Sequence, residues 1–279
     1  MFIFFFLISC NLKSQNVIEI SIPESYELSN IILALTDYGI NDNWEVQKHS
    51  RYYKDVITFF EPVKNHLLLK KVNYSRLLWE DYLSFRTDAV AFTIDKNNLL
   101  KRESGFHANH GHKPFDKNLK LINDFITQSN FRIFYNNHRS FYDSIIHNYS
   151  NYYMLNEMMD FLKTECGIIK KSSQQHQYKI ILSPLVYRMN CHRDISNTVV
   201  ADFPTTALTL IDNPGGKPDE AERAIEIHTL FTEADHGCVN PISDNSYKDL
   251  KSKINYERWD DHSGYPGISI FNEYTTWAL

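Results

Sequence analysis

Apolar and polar positions change rhythm along this chain, and the changes predict its elements. From Asn16 to Ile22, "NVIEISI" alternates with period two, as a half-buried strand does. "PESYELSNIILALTDYG" then spaces its apolar residues as a helix does, starting near Pro23 or Ser25 and ending at Gly39. "HSRYYKDVITFFEPVKNHLLLKKV" and "SRLLWEDYLSFRTDAVAFTI" continue the helical pattern, as do amphipathic segments dense in Phe, Tyr and Asn from Lys117 to Ile168. Glycine and proline, at nine each, are sparse, which suits a helix-rich body with few long linkers.

Past residue 168 the pattern changes. "QYKIILSPLVY" (177–187) and "NTVVADFPTTALTLID" (197–212) are β-branched and punctuated by proline, which predicts strands, the second pair bent at Pro204. "NPGGKP" (213–218) is a turn. Asp219 with Glu222 three residues on makes a capping box, and the apolar positions that follow carry a helix to Gly237, a natural C′ residue. Asn240-Pro241 opposes any continuation. The fold predicted is α+β, in three parts: a signal-like segment 1–15, a mainly helical region 16–168, and a region 169–279 with a small sheet and one well-marked helix.

At 279 residues the chain is long enough to bury a sizeable core. Its 29 basic and 34 acidic side chains leave it mildly negative, which argues against an electrostatic grip on nucleic acid. The apolar run Phe2 to Ile8 is far too short to span a bilayer. Leu7-Ile8-Ser9-Cys10 resembles a bacterial lipobox, in which the cysteine is lipidated; this implies an exported protein held in the cell envelope by Cys10. No basic stretch precedes the run, and a buried strand is the other reading. With Cys10 lipidated, Cys166, Cys191 and Cys238 form no closed disulfide set, and the absence of a CxxC pair argues against a cysteine zinc knot.

Three stretches imitate known motifs. "HRD" (192–194) lacks the asparagine that a kinase loop places five residues beyond the aspartate, and "NPGGKPD" lacks phosphate-loop spacing. "HANHGH" offers His107, His110 and His112, more simply read as a solvated loop than as metal ligands.

The stretch with most chemistry is "EIHTLFTEADHGCVNP" (226–241). It nearly reads H-E-x-x-H, the helical spacing that lets two imidazoles bind one zinc while the glutamate polarises water, but Thr232 stands at the first histidine. His228 lies about 12 Å from His236 along the axis, too far to substitute, and Asp235 is turned about 100° away. Glu233 and His236 at i, i+3 also suit a carboxylate-imidazole site for iron or manganese, or a plain hydrogen-bonded pair. Cys238 is near enough to approach a metal, though a small buried hydrophobe is the simpler role.

"TLFTEADHGCVNP" resembles the H-E-F-x-H-x-F-V-N-P segment of the bacterial exported proteins called domain of unknown function family 4932, which look like zinc metallopeptidases of the gluzincin type. "ESYELSNIILALTDYG", "YYKDVITFFEPVKNH" and "FRIFYNNHRSFYDSII" are similar to that family's N-terminal helices, and "FNEYTTWAL" (271–279) to its downstream glutamate-bearing helix, so the likeness covers most of residues 17–279. It implies zinc held by His236 and Glu273, Glu233 as catalytic base, and Thr232 in place of a ligand. It implies a peptide or protein substrate paired along an edge strand at Thr206 to Ile211, with a Tyr or His stabilising the oxyanion. It also implies a chain that continues beyond Leu279. The alternative is a catalytically degenerate peptidase-fold lipoprotein acting as a binding or structural module.

Overall fold

A computed structural model describes residues 18–106, 113–166, 177–255, 258 and 267–278. Cys10, the HANHGH stretch and the side chains of Cys166 and Cys238 lie outside the described residues. The fold is mixed α+β, largely helical with small sheets.

The chain opens with β1 (Glu19–Ser21), α1 (Glu24–Ala34), α2 (Asp37–Asn41), α3 (Arg51–Phe60), α4 (Leu67–Lys71) and α5 (Trp79–Asp88). A hairpin of β2 (Phe92–Ile94) and β3 (Leu100–Arg102) follows. Next come α6 (Pro114–Lys117), α7 (Leu119–Ser129), α8 (Phe131–Asn137), α9 (Arg139–Tyr152) and α10 (Leu155–Cys166). The last part holds β4 (Gln177–Ile181), β5 (His192–Ser196), β6 (Val199–Asp202), α11 (Leu208–Asp212), α12 (Glu220–Asn245), α13 (Tyr247–Lys253) and α14 (Ile268–Ala278).

Four strands form one sheet in the order β1-β4-β6-β5, with β1 and β6 parallel to β4 and β5 antiparallel to β6 at the edge. The N-terminal strand therefore shares a sheet with strands that come after residue 176. Side chains alternate across the pleat. Tyr178, Ile180 and Val200 join the main core, which also takes Leu230 and Ala234 of α12. Ile181, Ala201 and Ile195 join a second cluster with Tyr26 and Phe203 on the other face.

Four local expectations are corrected. First, α1 stops at Ala34, and Thr36 caps a separate short helix by accepting from Gly39 N–H at 3.0 Å. Gly39 lies inside α2, pressed so close to Leu33 that a Cβ would overlap its carbonyl oxygen. Second, Phe92–Ile94, in the segment patterned as helix, is a strand with Phe92 and Ile94 buried and Thr93 exposed. Third, residues 208–212, predicted as strand, form α11, whose Leu210 and Ile211 face the core.

Fourth, α12 does not end at Gly237; it runs 26 residues, through Pro241. An interior proline removes one backbone bond and costs about 3 kcal/mol, but α14 packs along this half of the helix. Val239 and Ser243 are buried there, and the Ser243 hydroxyl bonds the Asn272 side chain of α14. Half of the predicted capping box is present: Asp219 Oδ1 accepts from Ala221 N–H at 3.0 Å and Glu222 N–H at 3.1 Å. Glu222 itself accepts from Thr209 of α11.

Candidate functional site

The crossing of α12 and α14 brings together side chains that the motif reading named. His236 Nε2 lies 3.6 Å from Glu273 Oε1. Glu233, one turn earlier on α12, has Glu273 as its strongest charged neighbour. Burial first, then that repulsion, pushes the Glu233 carboxyl up to about 8, against a smaller pull from Arg193. Burial also raises Glu273, with His236 opposing the rise.

Thr232 supplies nothing to this cluster. Its hydroxyl donates to the Thr229 carbonyl of its own helix at 2.9 Å. His228, set aside on distance, stacks edge-on against Trp277 of α14 with ring centres 4.6 Å apart.

Asp235, set aside on direction, belongs to the cluster all the same. Its side chain is wholly buried, and both carboxylate oxygens lack a hydrogen-bond partner among the described residues, as does His236 Nδ1. Burial, then Glu273, pushes Asp235 up to about 8. A buried carboxyl without a partner avoids the large desolvation cost of its charge by keeping its proton.

The sheet contributes a second group that the sequence reading missed. Tyr178 on β4, Asp202 on β6 and His192 on β5 lie on the sheet face toward α12. His192 and Asp202 are cross-strand partners in the register, with His192 Nδ1 2.7 Å from Asp202 Oδ1. The Tyr178 hydroxyl donates to the other oxygen of Asp202. Asp202 is fully buried, and burial with Glu233 and Asp235 nearby holds it well above the carboxylate range.

With Nδ1 engaged, His192 has Nε2 left for the site, and that atom faces α12 at Gly237, where a Cβ would stand 3.1 Å from it. Gly237 and Glu233 are four residues apart on one helix face. Burial lowers His192 to about 4, with Asp194 opposing and His236 adding to the fall. The ring is therefore neutral at pH 7. The "HRD" of this strand looked like a failed loop motif; the only available signal was the alternation of "HRDIS", with Cys191 and Ile195 buried on the opposite face.

The strand expected at Thr206 to Ile211 to pair with a substrate backbone is absent, because α11 closes its own hydrogen bonds there. The sheet edge next to α12 is β5.

An imidazole beside carboxylates is a donor type that divalent cations take. His236 and Glu273 are the ligands that the zinc reading names, and Glu233 would join them only in the iron or manganese reading. Among the described residues, no group of three or more His, Cys, Asp or Glu side chains is placed so that it could hold a metal ion. Comparison of the chain with protein-family models, with curated proteins and with solved structures finds no match.

Proposed function

We propose that the α12–α14 crossing is a gluzincin-like site for metal-assisted hydrolysis of peptide bonds, in an exported protein anchored through lipid on Cys10. The observation that carries this reading is the approach of His236 to Glu273 at 3.6 Å, with Glu233 electrostatically joined to the same carboxylate. In this reading His236 and Glu273 hold zinc and Glu233 is the base. A bound divalent ion would lower the pKa of water and polarise the scissile carbonyl. Glu233 takes the water proton and passes it to the leaving amine. Without a bound cation the smaller pull of Arg193 leaves Glu233 protonated at neutral pH, so its competence as a base depends on a filled site.

Elemental analysis after dialysis against micromolar zinc tests the reading. About one equivalent of metal is expected, together with peptide hydrolysis that Glu233→Gln abolishes while the metal stays bound. Absence of bound metal ends the hydrolase reading. Loss of the metal in Glu233→Gln would instead make Glu233 a ligand, as in a carboxylate-rich iron or manganese site.

One observation favours a second reading, a peptidase-like fold kept as a binding or structural module. The side chain at the missing ligand position, Thr232, is already satisfied within its own helix. Under this reading Glu233→Gln and His236→Ala change neither metal content nor any cellular phenotype.

A further inference from the structure

Beyond α2 the chain forms a strap, residues 42–48, that runs against the connection between β4 and β5. Three backbone contacts join the two: Val46 bridges Val186, Gln47 N–H donates to Leu185 O at 2.9 Å, and Tyr187 N–H donates to Glu45 O at 3.0 Å. Glu45, Val46 and Gln47 are all buried.

A pair of carboxyl groups sits at this contact. The Glu45 side chain is hydrogen-bonded to that of Asp42, and Glu45 Oε1 accepts from the Tyr38 hydroxyl at 2.7 Å. Asp42 Oδ2 in turn accepts from Trp44 N–H at 2.6 Å. Two carboxyl groups can be hydrogen-bonded to each other only while one of them carries a proton. Glu45 is the one that holds it. Burial, then the bond with Asp42, raises Glu45 to about 7, against the pull of the Tyr38 hydroxyl. Burial acts on Asp42 in the same direction, but the bonds from Glu45 and from Trp44 N–H outweigh it and lower Asp42.

Few charges face the pair. Tyr38 of α2 and Tyr82 of α5, whose rings meet edge-on with centres 6.3 Å apart, are neutral hydroxyls, and Arg86 acts on Tyr82. Arg76 and Arg188 lie against the Trp44 ring. Lys48 Nζ donates to the carbonyl oxygens of Ile40 and Asp42, and its charge acts on both carboxyl groups. With the shared proton in place, one carboxylate faces this ammonium. Without it two do, the bond between them is gone, and one of the charges sits on a side chain that is 4% exposed.

We propose that Asp42 and Glu45 form a latch worked by one proton: while they share it the strap stays closed on the β4–β5 connection, and when they lose it the strap opens. That connection leads into β5, the strand that carries His192. The latch is independent of the hydrolase reading. Its sign follows from where the proton is held more tightly. Glu45 titrates near 7 when the strap is closed and returns to its ordinary value of 4.5 when it is open, so the advantage of the closed state is complete below 4.5 and is lost as the pH rises through 7.

Amide hydrogen exchange in the full chain at pH 6 and pH 8, corrected for the intrinsic rate at each pH, tests the latch. Protection of the Gln47 and Tyr187 amides, which span the contact, is expected to fall about tenfold between the two. Glu45→Gln keeps the shape of the side chain and carries no titrating proton, so in that variant the two amides should keep level protection. Comparison with the amides of α7 separates opening of the strap from unfolding of the whole chain. Level protection in wild type overturns the proposal, as does the same fall in Glu45→Gln as in wild type. Should Glu45→Gln not fold, Asp42→Asn decides in its place. There an amide donates to an ionised Glu45, so the fall should become shallower, and an undiminished fall overturns the latch.

Discussion

His192 rests against Gly237, its Nε2 3.1 Å from the place a Cβ would occupy. Glycine inside a helix costs about 1 kcal/mol relative to alanine, so elsewhere in α12 the change to alanine would stabilise the protein. Here the ring cannot retreat freely, because Asp202 holds Nδ1 at 2.7 Å. Gly237→Ala is therefore expected to lower the melting temperature in wild type and to raise it in a His192→Ala background. The same sign of change in both backgrounds would show that the ring and the helix are not coupled.

Stability should fall as the pH rises from 5 to 8. Glu226, Glu233 and Asp235 are each pushed up to about 8, chiefly by burial. Between the ordinary carboxyl value near 4 and pH 8 the folded chain holds more protons than the unfolded one, so the stability these groups add at low pH is lost through that window. His192, lowered to about 4, acts oppositely, losing its contribution as the pH falls from about 6.5 toward 4. Three acids outweigh one imidazole above pH 5, and above 6.5 the acids act alone. The urea midpoint should decline accordingly, and a midpoint that climbs over this range would contradict the assignment. Saturating zinc, by favouring the ionised carboxylates, should flatten the decline.

Restoring an imidazole to the motif tests what α12 can do. Thr232→His removes one hydroxyl bond to Thr229 and presents a second imidazole one turn from His236. Zinc affinity measured by chelator competition should rise at least about tenfold. No gain would mean that position 232 does not face the donors on α14.

Gly39 offers a test of the helical body that leaves the site alone. Its Cβ would lie 2.0 Å from the backbone oxygen of Leu33. Backbone cannot yield as a side chain tip does, so Gly39→Ala should cost about 3 kcal/mol or more in urea unfolding. A loss below 1 kcal/mol would indicate that α2 shifts on α1 with little resistance.

Local pattern was enough for the elements whose causes lie within a few residues. The alternation before Pro23 marked β1, the helical spacing after it marked α1, and Asp219 marked the start of α12, because the hydrogen bonds that decide these features span a turn or less. The same locality placed Glu233 and His236 on one helix. Glu273 came into view through family likeness, since nothing in the spacing of the chain relates it to His236.

Tertiary contacts decided the rest. "TALTLID" is as β-branched as its neighbours, yet Leu210 and Ile211 are buried as a helical turn. Gly237 and Pro241 are stop signals by local rules, and α12 passes both because His192 fills the space at one and α14 packs beyond the other. Asp202 sits in an apolar run, and His192 in a stretch that looked like a broken motif; only strand register makes them partners. Propensity acts over a turn or a pleat, whereas burial and the pairing of charges depend on which distant segments the fold presses together. The chain alone therefore determined that a helix carries Glu233 and His236, and the packing of β5, β6 and α14 around that helix determined which other side chains those two residues meet.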